Sequence, residues 1–424
     1  MHIAIIGNGV TGVAAAKRTR QLQPDWKITL ISGESDYHYS RPALMYIFMG
    51  HMSYKDTKPY QDHFWKINKI DLLRAWVTSI DHNNKKLILH NKPPLEYDKL
   101  LIATGSKSNK FGWPGQDLEG VQGLWDLMDL RALYENVKNA KRAVIVGGGL
   151  IGIELAEMIH SRNMEVTFLV REKSYWNNVL PKEESMMINR IIRGEGLDLR
   201  LQTELKEIVN DGNGRVGAVI TNEDERIDCE IVGLTAGVSP NIDLVNDSDI
   251  NTGRGILVDW SFQTNVTDIF AAGDCAELIT ESNQRNVIQQ VWYTGKMQGK
   301  VAGEVMAGKN STYDPGTWYN SAKFFDLEYQ TYGSVNSRPV EGEKNLFWEH
   351  PNHEHAIRIV TKDNIVVGIN VMGLRYRHKV CEGWLKENRT LDFVLDNLRE
   401  ANFDPEFYNK FELEIRDSFK EKAA

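Results

Sequence analysis

The chain has 424 residues, 42% hydrophobic and 25% charged, the balance of an ordinary folded protein with length for two to four domains. Fifty Lys+Arg against 58 Asp+Glu leave a net charge of −8, which argues against binding nucleic acid through a general basic field. Cys229, Cys275 and Cys381 lie far apart with no CxxC pair and no metal spacing, which excludes a disulfide scaffold.

Residues 3–6 read as a buried strand entering the glycine turn 7–12, Gly-Asn-Gly-Val-Thr-Gly. Residues 10–22 suit a helix and 27–31 a second strand. A helix that follows a strand so closely packs across a parallel sheet. Residues 75–81 and 86–90 flank Asn83-Asn84 as a hairpin, and 97–103 form a strand that ends at Thr104-Gly105-Ser106. The pattern then restarts: strand 143–146, glycine turn 147–152, helix 153–162 and strand 165–170. The first glycines of the two turns, Gly7 and Gly147, stand 140 positions apart, so one chain carries two βαβ units. Residues 269–274 read as an apolar strand ending in Gly273 and Asp274, with a long helix expected over 287–306. From 313 onward come aromatic-rich strands at 323–325, 345–348 and 365–369, then amphipathic helices, and the charged tail after Asp417 reads as frayed. No stretch approaches the roughly 20 apolar residues of a membrane span. With a strand in the opening residues no cleavable leader is expected, and the expected compartment is the cytoplasm.

The first turn has the chemistry of a dinucleotide site. Gly7 permits the tight turn, Gly9 lets a pyrophosphate approach the backbone, and Gly12 lets the helix pack on the strand. The helix N-terminus presents unpaired N–H groups and the positive end of its dipole. Glu34, 22 residues beyond Gly12, is placed to hold ribose hydroxyls. Beyond the strand that follows the second turn stand Arg171 and Glu172. Arg171 would pair with a 2′-phosphate and Glu172 would serve a free 2′-hydroxyl, while Gly152, where NADP-binding proteins often have Ala, points toward NADH. His350, His353 and His355 lack a carboxylate or cysteine set at metal spacing, so a surface loop is expected there and no metal site. Arg375, Arg377, His378 and Lys379 form the densest basic cluster, a solvated face or a dock for an acidic partner.

In order along residues 1–335, these turns, Ser32-Gly33-Glu34, Tyr39-Ser40-Arg41-Pro42, the run 97–106, the run 144–157 and 269–274 resemble the pyridine nucleotide–disulfide oxidoreductases. Within that family the sequence is most similar to flavin-dependent ferredoxin or rubredoxin reductases and the FAD-binding part of nitrite reductases. The resemblance implies an α/β fold with two Rossmann-like dinucleotide-binding domains. FAD would occupy 1–112 with 245–312, NAD(P)H would occupy 113–244, and 313–424 would form an α+β interface domain, which makes a homodimer in the NADH oxidase and coenzyme A–disulfide reductase branch. Gly7, Gly9, Val10 and Gly12 would cradle FAD, with Glu34 on the adenosine ribose, Arg41 near the pyrophosphate and Val77 on adenine through its backbone. Asp274 would hold a ribitol hydroxyl, with Gly273 allowing close approach; Ala103, Thr104, Gly105 and Gly237 are further cofactor-binding candidates. Gly147, Gly149, Ile151, Gly152 and Arg171 would take NAD(P)H, and Glu154 would lie near the nicotinamide and flavin as the catalytic candidate.

One departure from the family matters. Disulfide-using relatives carry redox cysteine on the helix after the second strand, and residues 39–46 here have none. Cys275 is expected to be structural, so electrons should leave the flavin directly. The implied activity is hydride transfer from NAD(P)H to FAD N5, then electron transfer to an external acceptor such as a ferredoxin or rubredoxin. Alternatives are an NAD(P)H oxidase or quinone reductase, and a flavin-bound redox sensor. The ferredoxin reductase branch usually has an aromatic pair near the flavin where this chain has Asn320-Ser321.

Overall fold

The computed structural model describes residues 1–280, 286–403 and 409–423. The chain forms two compact units: 1–109 with 123–135 and 237–315, and 110–122 with 136–236 and 316–424. This grouping differs from the three expected domains. Residues 123–135 pack with the first Rossmann sheet, and residues 316–424 pack with the second.

In the first unit five parallel strands run in the order Ile269–Ala271, Lys99–Ile102, His2–Ile6, Lys27–Ser32, Ile70–Arg74. The chain leaves the central strand first to one side and later to the other, so the topological switch lies between His2–Ile6 and Lys99–Ile102. Both faces of the sheet are covered, which is why Ile3, Ala4, Ile5, Ile28, Leu100 and Leu101 form continuous apolar runs with no exposure. One cover is helix Val10–Leu22, against which helix Trp292–Met306 lies very close. Glycines at every fourth position make that approach possible. A Cβ on Gly299 would stand 2.2 Å from the Thr11 carbonyl, and one on Gly303 would stand 2.7 Å from that of Ala15. The second helix is shorter than the expected 287–306. Val287 exchanges both backbone hydrogen bonds with Leu278 as a β-bridge, and that pairing holds the chain extended before Trp292. Tyr313, expected to open the last domain, is instead buried in this first core beside Trp260 and Phe262.

In the second unit a parallel sheet runs Asp198–Leu201, Glu165–Val170, Arg142–Val146, Ile231–Leu234, Val121–Gln122. The last portion adds an antiparallel sheet in the order Tyr319–Phe324, Leu327–Gly333, Ile365–Met372, Ala356–Lys362, Glu343–Glu349. A buried charge pair joins these two parts. Arg358, on strand Ala356–Lys362, donates to Glu184 at 2.7 and 2.9 Å and to Glu183 at 2.6 Å, both on helix Lys182–Gly194. The charged tail is not frayed. Residues Glu412–Ala423 form a helix that buries Ile415 and, completely, Phe419. Two apolar anchors four residues apart outweigh the tail's charge count, while Glu414, Asp417, Lys420 and Glu421 stay exposed. No described helix is long and apolar enough to cross a membrane.

Candidate active site

The first glycine turn sits at the carboxyl end of the central strand, where open α/β sheets bind ligands. Gly7 adopts φ +111°, and a Cβ there would lie 2.1 Å from the Ala103 carbonyl. A Cβ on Gly12 would lie 2.0 Å from the Gly7 carbonyl, so both glycines are demanded by the protein itself. Gly9 is different: nothing stands within 4 Å of its Cβ position, and it is the N-cap of Val10–Leu22 with no side-chain cap. Open space in front of uncapped N–H groups is the cradle a pyrophosphate requires.

Around this turn the structure gathers most of the residues expected to hold FAD. Glu34 lies just past strand Lys27–Ser32, where its carboxylate accepts from Arg41 Nη2 at 2.7 Å, from the Tyr39 hydroxyl and from the Leu127 N–H at 3.3 Å. Arg41 also donates to the Trp125 carbonyl at 2.6 Å and lies over the Tyr39 and Trp125 rings. Arg41 is therefore seated on Glu34 and fixes that carboxylate's orientation. Val77 opens strand Val77–Asp81; the indole of neighbouring Trp76 lies on Gly33, leaving no room there for a side chain. Thr104 donates to the Asn241 carbonyl at 2.7 Å, and Gly105 and Gly237 both take positive φ. Gly273, at φ +83°, brings its backbone against Thr11, and Asp274 accepts from the Ser106 hydroxyl at 3.0 Å. Burial raises the Asp274 carboxyl above the usual carboxylate range.

Sequence reasoning missed the props of this site. Asn8 donates from its side-chain amide to Ser35, both to the carbonyl and to the hydroxyl, at 3.0 Å. His38 Nδ1 donates to the Asn8 carbonyl at 2.8 Å, and burial lowers its pKa to about 4, so the ring stays neutral. Their only signal in the sequence is polarity in positions that must be buried.

The second turn repeats the geometry in the other unit. Gly147 takes φ +123° with its Cβ position 2.6 Å from the Thr235 carbonyl. Gly149 caps helix Leu150–His160 without a side-chain bond and faces space with nothing within 4 Å, and Ile151 lies in that helix's first turn. At the end of strand Glu165–Val170 the residue is Val170, fully buried, whose methyl would lie 2.9 Å from a Cβ on Gly148. No acid stands there. Arg171 follows with 71% of its side chain exposed, 3.1 Å from Glu172. Glu154 lies on the helix after the turn; burial, and then the nearby Glu157, push its carboxyl up to about 7. Glu157 is itself paired with Lys323 at 3.1 Å.

All three cysteines are fully buried. Burial pushes the Cys229 thiol up to about 12 and raises those of Cys275 and Cys381, so none is a thiolate at neutral pH. Cys275 donates weakly to the Ile102 and Ala272 carbonyls. Among the described residues no group of three or more His, Cys, Asp or Glu is arranged to hold a metal. His350 and His355 instead flank the Phe411 ring, each 4.8 Å from its centre, and His353 lies 2.9 Å from Glu349.

Comparison with known proteins decides the family. Residues 1–299 match the family described as pyridine nucleotide-disulphide oxidoreductase. The chain belongs to that family. Its fold is therefore the two Rossmann-like domains with a C-terminal α+β portion, and the protein is an FAD-dependent NAD(P)H oxidoreductase whose cofactors are FAD and NAD(P)H. The chain is similar to NADH-rubredoxin oxidoreductase of Clostridium acetobutylicum, 29% identical over 404 residues, 93% of this chain and 99% of the relative. It is 26% identical over 375 residues to nitrite reductase [NAD(P)H] of Bacillus subtilis, aligning 88% of this chain but spanning only 45% of that protein. Among solved structures, an NAD-dependent persulfide reductase from A. fulgidus superposes with a TM-score of 0.87 and 22% identity, covering 100% of this chain and 84% of the other, a likeness of fold.

The two turns fit the family's cofactors. Each has glycines that its own backbone demands, one glycine facing open space, and an uncapped helix N-terminus behind it.

Proposed function

We propose that this oxidoreductase passes electrons from NAD(P)H through its flavin to a small electron-transfer protein of the ferredoxin or rubredoxin kind, with no thiol relay. The observation that carries this is the state of the cysteines. All three are sealed in the interior with raised thiol pKa values, and none lies in the segment 39–46. A rubredoxin-reducing relative alignable over 93% of the chain supports the acceptor class.

In this reading the first turn binds the FAD pyrophosphate through backbone N–H groups. Glu34, steadied by Arg41 and Tyr39, receives the adenosine ribose hydroxyls, with the Val77 backbone beside adenine. Asp274 accepts from a ribitol hydroxyl, with Ser106 fixing its second oxygen, and residues 103–105 line the same edge of the sheet. Gly147, Gly149 and Gly152 shape the coenzyme turn. Arg171 stands where a 2′-phosphate would be held, and its partner Glu172, 3.1 Å away, stands where a free 2′-hydroxyl would be held. When bound, the flavin supplies hydride acceptance and one-electron release. Glu154, neutral up to about pH 7, would present an uncharged carboxyl to the coenzyme rather than repel its phosphates. Proximity and orientation do the catalytic work.

Anaerobic stopped-flow mixing with NADH and NADPH, followed by a screen of acceptors on the same sample, tests this. Fast flavin bleaching with rapid reoxidation by ferredoxin or rubredoxin is expected. Reoxidation as fast by oxygen or a quinone alone would assign an oxidase or quinone reductase instead.

A further inference from the structure

The second glycine turn is held from inside by a side chain that belongs to no motif. Tyr175 is fully buried, and its hydroxyl donates to the Gly149 carbonyl at 2.8 Å. The same carbonyl accepts the Ile153 N–H at 3.2 Å, the first bond of helix Leu150–His160. Two donors on one carbonyl polarise its peptide group, whose other end is the Leu150 N–H, one of the unpaired donors at the helix start. Burial raises the Tyr175 phenol well above its usual pKa, so it remains a donor at every working pH.

The backbone of Tyr175 is fixed as firmly as its hydroxyl. Its N–H donates to Asn189 Oδ1 at 2.9 Å, and the Ser185 hydroxyl lies 2.6 Å from its carbonyl. Ser174 closes the set, 2.6 Å from Ser185 Oγ and 2.7 Å from Asn189 Nδ2. Both Ser185 and Asn189 stand on helix Lys182–Gly194, so Tyr175 cannot drift without that helix. Tyr175 also accounts for the third glycine of the turn. A Cβ on Gly152 would lie 3.1 Å from the Tyr175 hydroxyl and 2.9 Å from that of Thr235. A side chain at 152 would press on both hydroxyls, so the packing itself favours glycine there.

We infer that Tyr175 is a positioning residue of the nicotinamide-coenzyme site: through Gly149 it holds the start of helix Leu150–His160 facing the coenzyme pyrophosphate, equally for NADH and NADPH. This rests on the reading that the second turn binds the coenzyme. Tyr175→Phe keeps the ring and every backbone bond and removes only the hydroxyl. Calorimetric titration of the flavin-loaded protein with NAD⁺, NADP⁺ and ADP-ribose should show all three dissociation constants raised by one common factor, about three- to tenfold for a lost buried hydrogen bond. KM should rise with kcat at saturation unchanged, and flavin content should stay the same. Ser185→Ala, which loosens the Tyr175 backbone but spares its hydroxyl, should give a smaller loss of the same kind. Unchanged dissociation constants, a loss confined to one coenzyme, or a fall in kcat would overturn the assignment. Failure of the unaltered protein to bind any of the three probes would instead remove the reading of the turn, and this assignment with it.

Discussion

The first turn separates the demands of the fold from those of the ligand, and two substitutions three residues apart read them out. Gly9 has φ −69° and ψ −177°, backbone angles open to any residue, and no atom within 4 Å of its Cβ position. Gly9→Ala therefore costs the protein little. Alanine is a poorer N-cap than glycine by up to about 1 kcal/mol, and the reduced freedom of the unfolded chain returns about 0.4–1 kcal/mol. Gly12→Ala instead drives a methyl to 2.0 Å from the Gly7 carbonyl, an overlap of backbone that no rotamer relieves. It should cost about 3 kcal/mol or more. Toward FAD the ranking changes. On the proposed reading a methyl in the open space before the uncapped helix would take the place of the pyrophosphate, and overpacking of about 1–3 kcal/mol would weaken binding by about 5- to 150-fold. The assay is paired: thermal unfolding of deflavinated samples, and titration of the same samples with FAD. Gly9→Ala should melt within about 3 °C of the unaltered protein yet bind FAD poorly. If it binds FAD normally, or unfolds as badly as Gly12→Ala, the assignment of this turn is refuted.

Arg171→Glu should lower the ratio of kcat/KM for NADPH over NADH by about tenfold or more, the worth of a charge-assisted hydrogen bond; an unchanged ratio would free Arg171 of that role. Cys275→Ala should leave turnover intact at a stability cost of about 1 kcal/mol, whereas turnover lost with flavin retained would require a thiol step. Glu154 holds its proton to about pH 7 in the folded protein against an ordinary 4.5, so its stabilising effect is full below pH 4.5 and is lost as pH rises toward 7. Unfolding free energies from urea titration of Glu154→Gln should consequently exceed those of the unaltered protein at pH 8 but not at pH 4.5, by up to about 3 kcal/mol. Arg358→Ala strands Glu184 as an unpaired buried carboxylate and should cost about 3–5 kcal/mol, visible as a lowered melting temperature.

What was legible in the sequence followed from local rules. A strand, a glycine turn and a helix occupy consecutive residues, so the two βαβ units and their glycines could be read directly, and strand Glu165–Val170 has the expected bounds. Contacts spanning long separations could not. Arg41 meets the Trp125 carbonyl 84 positions away, and nothing in the Tyr39-Ser40-Arg41-Pro42 run marks its partner. Tyr175 and His38 escaped for a related reason: each is one polar residue in an irregular segment, and its meaning appears only when the chain folds back onto its own glycine turn. Composition alone points to a frayed tail, and the spacing of buried Ile415 and Phe419 decides for a helix. Val170 shows the limit of motif matching. The position after which an acid is sought is filled by a core residue packed under the turn.

The claim that sulfur takes no part in electron flow has a direct count as its test. Anaerobic titration of the purified flavoprotein with dithionite, followed by flavin absorbance, should reach full reduction at one electron pair per flavin. Uptake of a second pair before the flavin is fully bleached would reveal a redox-active disulfide and contradict the account.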